Sequence, residues 1–250
     1  MASMAPLRGV LLDIGYGLLD EGPRLAHALQ ALADDPLLAL AQPPQPAWAA
    51  DAPASLAPVL LEPALARLEA CYAQACLAPA HSSLLVQALE AAGVPPEAAA
   101  AARERLAWDA VPLAPYPDTL AALERLGAAG LRVGVLANQP ASARRELQRL
   151  GVALRVDDTW LSGEVGLSKP DPAFFRRALH AWGMPAGEVA YVGDRPDHDI
   201  GPAHALGLRT VRLLQGPHAR QVARAGQHAD ANAPTLSRAA DVLIGWARGR

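Results

Sequence analysis

"GVLLDIGYGLLDEG" (residues 9–22) opens with an apolar run that ends on Asp13, and the chain then passes two glycines before a helix can begin. A short, continuously apolar run predicts a strand covered on both faces, as in a parallel sheet. A carboxylate at the tip of such a strand is costly unless a charge faces it. Asp13 therefore implies a partner from elsewhere in the chain. Two positions on, where a second acid could share its work, stands Gly15.

Three more runs have the same character: "LRVGVLAN" (131–138), "VAYVGD" (189–194) and "LRTVRLL" (208–214). Helical segments separate them. "PDTLAALERLGAAG" offers Asp118 as N-cap, leucines at 120, 123 and 126, and closing glycines. "ASARRELQRLG" ends on Gly151, and "DIGPAHALG" on Gly207. "DPAFFRRALHAWG" starts with Asp171 as cap and Pro172 in the first turn and stops at Gly183. Strands alternating with helices predict an α/β fold, an open parallel sheet with right-handed crossovers.

Between the first strand and the second, residues 18 to about 112 carry no convincing strand. They read as helices near 24–33, 60–78, 82–92 and 96–108 around the Pro/Ala-rich "AQPPQPAWAADAPASLAP". The expected organisation is a core of residues 1–17 and 113–250 with an all-helical domain, 18–112, inserted after strand one. Ligands of such sheets bind at the carboxyl edge of the strands, where a helical cap would exclude water and choose the substrate.

Composition sets outer bounds. With 250 residues, 52% hydrophobic and 19% charged, the chain folds around a sizeable core. A net charge of −3 leaves no basic footprint for nucleic acid. Neither a signal peptide nor a membrane span is legible, so a cytoplasmic protein is expected. Cys71 and Cys76, five residues apart, lie on different faces of a helix and read as small buried residues in a reducing compartment. Lys169 is the only lysine among 22 basic residues, the rest being arginine. A compact ammonium on a flexible stem is wanted there instead of a planar fork.

The candidate chemistry gathers at strand ends. Asp13 ends strand one, Asn138 strand two and Asp194 "VAYVGD"; "GDRPDHDI" adds Asp197 and Asp199, and Lys169 sits in "GLSKPDP". Carboxylates converging from separate strands suit a hard cation such as Mg²⁺, and a lysine beside them would neutralise a nucleophilic carboxylate or a bound phosphate.

On these segments the chain resembles the haloacid dehalogenase superfamily, mostly Mg²⁺-dependent phosphatases with a helical cap inserted after strand one (subclass I). "LLDIG", "LAN", "GLSKPDP" and "VGDRPDHDI" stand in the family's motif order. The resemblance implies a Rossmann-like core and an Mg²⁺-dependent phosphohydrolase acting on a small phosphorylated metabolite through a phosphoaspartate. It makes Asp13 the nucleophile, steadied by Lys169. Asp13, Asp194 and the Gly15 carbonyl hold the metal, and Asp199 supports its water shell. Lys169 and Asn138 contact the phosphate.

The chain also departs from the pattern. The family usually has Asp-x-Asp-x-Thr, its second Asp protonating the leaving group; here Gly15 and Gly17 follow Asp13. Ala137 replaces a Ser or Thr that would meet the phosphate. General acid catalysis is worth about 10²–10⁴-fold, so the missing acid implies a preference for good leaving groups.

Other readings stand beside these. Asn138 is a phosphate contact or a strand-end turn residue, and Asp197 reads as a surface or helix-start residue. His198 and His204, six residues apart, share no helix face. Two rival functions remain: a binding or regulatory protein of impaired turnover, and a 2-haloacid dehalogenase. For the second, Tyr16 lies three places after Asp13 where dehalogenases carry an aromatic at two.

Overall fold

The computed structural model describes residues 5–35, 57–77, 83–106 and 111–249. The chain forms two compact units, residues 1–21 with 113–250, and residues 22–112.

The first unit is built on β1 (Gly9–Leu12), β2 (Leu19–Asp20), β3 (Ala114–Pro115), β4 (Arg132–Ala137), β5 (Asp158–Leu161), β6 (Val189–Gly193), β7 (Arg209–Leu213) and β8 (Ala231–Ala233). Six of these form one sheet in the order β5-β4-β1-β6-β7-β8, every neighbouring pair parallel. The chain therefore runs outward from β1 through β4 to β5, returns to β6, and runs outward the other way. Between β1 and β6 the order reverses, the switch point at which open α/β sheets usually bind their ligands.

The second unit consists, among its described residues, of α1 (Gly22–Ala33), α2 (Ala57–Ala75), α3 (Leu84–Ala91) and α4 (Pro96–Arg105). Its core joins Leu29 and Leu32 of α1, Leu68 and Tyr72 of α2, Leu85 and Leu89 of α3, and Ala99 and Ala102 of α4. Most of the Pro/Ala-rich stretch lies outside the described residues. No described helix is long and apolar enough to cross a membrane.

The remaining helices, α5 (Thr119–Ala128), α6 (Ala143–Arg149), α7 (Ser162–Val165), α8 (Pro172–Trp182), α9 (Gly201–Ala205) and α10 (Leu236–Ala247), belong to the first unit. Successive strand residues face opposite ways, so both sheet faces are covered. Val10 and Leu12 of β1 join Leu123 and Leu126 of α5 and Leu236 and Leu243 of α10. Leu11 joins Phe174, Phe175 and Trp182 of α8. As expected, Asp171 caps α8, accepting from Ala173 N at 2.8 Å, and Gly183 ends it at φ 62°.

Several expectations need correction. Asp118 stands at the N-cap of α5 as expected but makes no side-chain cap bond; its carboxylate accepts from Ser237 N at 2.7 Å and ties α5 to the start of α10. Residues 18–21 stay with the first unit because Leu18 and Leu19 are buried in its core and β2 pairs antiparallel with β3. Strands β5 and β8 had no apolar run to announce them: "DTWL" begins with two polar residues and "ANA" is three residues long.

At the opposite end of the sheet, the Trp182 indole lies over a floor left bare by glycine. A Cβ on Gly134 would stand 2.7 Å from the Trp182 ring and 3.1 Å from both Leu11 Cδ2 and the Trp160 ring. The indole N–H donates to Asp158 Oδ2 at 2.8 Å, and Arg132 holds that same oxygen at 2.8 Å, so the ring cannot slide away without breaking its bond to an anchored acceptor. Gly134→Ala is therefore expected to lower stability by about 1–3 kcal/mol, read as a lower denaturant midpoint at unchanged slope.

Candidate active site

Three acids from separate segments converge beyond the ends of β1 and β6. Asp13 follows β1, Asp194 follows β6, and Asp199 comes from the wide helical turn Pro196–Ile200. Each offers an oxygen within 4.8 Å of the others. Asp194 and Asp199 are buried and the Asp13 side chain is 13% exposed. Among the described residues no histidine joins them.

The Lys169 ammonium lies against this group, 2.7 Å from Asp13 Oδ1 and 2.6 Å from Asp199 Oδ1, and it donates to the Tyr191 hydroxyl at 2.9 Å. An ammonium has three hydrogens, and here each has an acceptor. A phosphate oxygen would reach Nζ only by taking over one of these bonds. Tyr191 in turn donates to the Leu136 carbonyl at 2.8 Å, which fixes its hydroxyl as the third acceptor.

Backbone geometry holds the lysine in place. Asn138 Nδ2 donates to the Lys169 carbonyl at 2.8 Å, and Lys169 N donates to Asn138 Oδ1 at 2.7 Å. Asn138 thus grips the lysine peptide; of its two amide hydrogens this pair uses one. Asp199 is held as firmly, its Oδ2 accepting from Arg195 N at 3.0 Å. It packs so close to β6 that a Cβ on Gly193 would fall 2.4 Å from Asp199 Oδ2, and only glycine fits there.

Asp194 is different: its Oδ2 is buried without a hydrogen-bond partner. A buried carboxylate oxygen without a donor is costly, and it marks the place where a cation would fit. The charge count agrees. Three carboxyl groups face one ammonium, more acid than Lys169 alone can neutralise. Burial, against the pull of Lys169, lifts Asp13 from the ordinary 3.8 to about 6, and Asp199 adds to the rise. Burial, then Asp199 and Asp13, push Asp194 well above the usual carboxylate range.

Gly15 and Gly17 lie in a tight hook after Asp13, in which the amides of Gly17, Leu18 and Leu19 all donate to the Ile14 carbonyl. Tyr16 sits there at φ 50°, the left-handed region, and a Cβ on Gly17 would come within 2.5 Å of the Asp13 carbonyl. Asp197 lies outside the cluster, paired with Arg195 at 2.9 Å, and His198 stands 3.8 Å from it.

Three neighbours escaped the sequence reading: Tyr191, Gln139 and Glu21. A tyrosine within "VAYVG" could have been flagged, since a buried hydroxyl needs a partner. Gln139 and Glu21 carried no motif. Gln139 Nε2 donates to Glu21 Oε1 at 2.8 Å, an approach between residues 118 positions apart.

Comparison with known proteins puts this geometry in a lineage. The chain is 45% identical over 107 residues to a glyceraldehyde 3-phosphate phosphatase of Methanocaldococcus jannaschii, covering 42% of this chain and 47% of that protein. It is 37% identical over 139 residues to a phosphoserine phosphatase of Thermus thermophilus, covering 55% and 56%. It thus spans about half the length of these curated relatives. A crystal structure of a 2-haloacid dehalogenase from Pseudomonas syringae superposes with a TM-score of 0.56 at 27% identity, covering 96% of this chain and 99% of that one. A model of the haloacid dehalogenase-like hydrolases matches residues 10–207, a span that includes Asp13, Lys169, Asp194 and Asp199. Since that match takes in most of the chain and every acid of the cluster, the chain belongs to the haloacid dehalogenase-like hydrolase family.

Proposed function

We propose that this chain is an Mg²⁺-dependent phosphohydrolase acting on a small phosphorylated metabolite through a phosphoaspartate at Asp13. One observation carries the reading: the Asp13 carboxyl 2.7 Å from a buried ammonium, in a cluster with an acid whose oxygen has no donor. The phosphatase names of the relatives support the same class.

In this reading Asp13, Asp194 and the Gly15 carbonyl hold the cation, with Asp199 supporting its water shell. When bound, Mg²⁺ draws charge from the phosphoryl oxygens and orients the phosphate. Asp13 attacks phosphorus in line and water later frees the phosphate. Lys169 bears part of the charge that develops on the transferring group, the larger share of catalysis in phosphoryl transfer. Asn138 keeps Lys169 aimed through its peptide, and Tyr191 stops the ammonium from rotating away.

Hydrolytic dehalogenation is the second reading, because it too begins with carboxylate attack and a dehalogenase is among the similar folds. The unpartnered Asp194 oxygen weighs against it, since nothing in that chemistry calls for a cation. Phosphate release from a panel of phosphate esters, dependent on Mg²⁺ and reduced at least about 10³-fold by Asp13→Asn, is the expected outcome. Chloride release from 2-haloacids without added cation would replace the reading.

The electrostatics give a second test, on stability. A carboxyl whose pKa rises on folding favours the protonated form, so its folded-state charge lowers stability as pH climbs from the ordinary value through the raised one. For Asp13 that interval runs from 3.8 to about 6, and Asp194 shifts in the same direction. Asp194→Asn is therefore expected to raise the metal-free Tm at pH 8, with the advantage shrinking toward pH 4. Mg²⁺ at about a hundred times its Kd would stabilise the native protein by about 2.7 kcal/mol and barely move the variant. Equal Mg²⁺ shifts in both would remove Asp194 from the metal site.

A further inference from the structure

The proposed reaction needs a proton for the departing oxygen. Within the cluster no group is suited to give it. Asp13 attacks, Asp199 is held by Lys169 and Arg195 N, and the Asp194 oxygen without a donor is the one assigned to the cation. The nearby Tyr116 phenol is pushed up by burial and by the charges of Asp20, Asp194 and Glu21, which makes it a weaker acid than usual. A donor must come from elsewhere.

A Cβ on Gly15, two residues after Asp13, would lie 3.0 Å from Glu21 Cδ, 3.0 Å from Oε2 and 3.1 Å from Oε1. The Glu21 carboxyl thus occupies the space into which a side chain at residue 15 would project. The hook after Asp13 brings it there. Tyr16 N donates to the Leu19 carbonyl, Gly15 bridges to Leu19, and β2 ends one residue before Glu21. Glu21, the residue just past β2, supplies all three atoms nearest that position.

The carboxyl is also aimed. Gln139 Nε2 donates to Glu21 Oε1 at 2.8 Å. The Gln139 carbonyl accepts from Gly163 N at 3.0 Å and from Ser162 Oγ at 3.2 Å, so the amide projects from a fixed backbone just beyond β4.

We infer that Glu21, oriented by Gln139, is the acid that protonates the leaving group, a role its distance in sequence from Asp13 conceals. The inference rests on the phosphohydrolase reading. An Asp13 oxygen bonds to phosphorus as the bond from phosphorus to the ester oxygen breaks, and Glu21 passes its proton to that oxygen, which departs as an alcohol. The Glu21 carboxylate then takes a proton from the water that attacks phosphorus. The bond to Asp13 breaks, releasing inorganic phosphate and restoring both side chains. The preference for good leaving groups expected from Gly15 alone loses its ground.

The test compares an alkyl and an aryl ester, glycerol phosphate and p-nitrophenyl phosphate, with the full chain in Mg²⁺. Glu21→Gln keeps the size and the polar contact but has no proton to give. It is expected to lower kcat/KM by about 10²–10³-fold for the alkyl ester and by less than about 10-fold for the aryl one. A Glu21→Ala variant vacates the space beside residue 15, and adding Gly15→Asp to it is expected to regain alkyl-ester turnover at least about 10-fold. Equal losses on both esters, or no loss on the alkyl ester, would overturn the role of Glu21 while native turnover still upheld the phosphohydrolase reading. A native chain that releases no phosphate from either ester would overturn both.

Discussion

A single ammonium organises this molecule's chemistry. Lys169 is buried, and all three of its hydrogens are taken, by Asp13, Asp199 and Tyr191. Burying a charge is tolerable only with partners this complete. The consequence runs both ways, because neither acid could be buried there without the lysine. Arginine, with five donors in a flat fork, could not present a compact tripod to two carboxylates and a phenol. That is the physical content of the chain's one lysine among so many arginines.

The cluster remains unbalanced even so. Lysine answers one negative charge, and the third acid, Asp194, keeps an oxygen with no donor. A fold selected for stability alone would place an amide or an apolar residue there. Retaining the carboxylate carries a standing cost, and titratable groups perturbed in this way cluster where a site is prepared ahead of its ligand. The strand order makes it possible: it reverses between β1 and β6, so Asp13 and Asp194 follow adjacent strands at the point where open sheets bind their ligands.

Much of this was legible from residue types and order. Continuous apolar runs gave β1, β4, β6 and β7, and the motif resemblance picked out Asp13, Lys169, Asp194 and Asp199. What escaped had no run or motif to mark it. The edge strands β5 and β8 are short and partly polar because an edge has fewer neighbours to bury against. Asp118 suits an N-cap by local rule, yet tertiary structure gave it the Ser237 amide instead. Tyr191 hid in a strand that reads as purely apolar.

The sequence by itself determined the alternation of strands and helices, the position of the insert and the identity of the charged residues at strand ends, since these depend on local periodicity and spacing. Only tertiary structure decided which of those charges touch, that Asn138 grips the Lys169 peptide, and that Glu21 returns to the side of Gly15 with Gln139 across from it. Such contacts join residues far apart in the chain. Their geometry is set by how strands stack and loops fold back, and no window of sequence contains both partners.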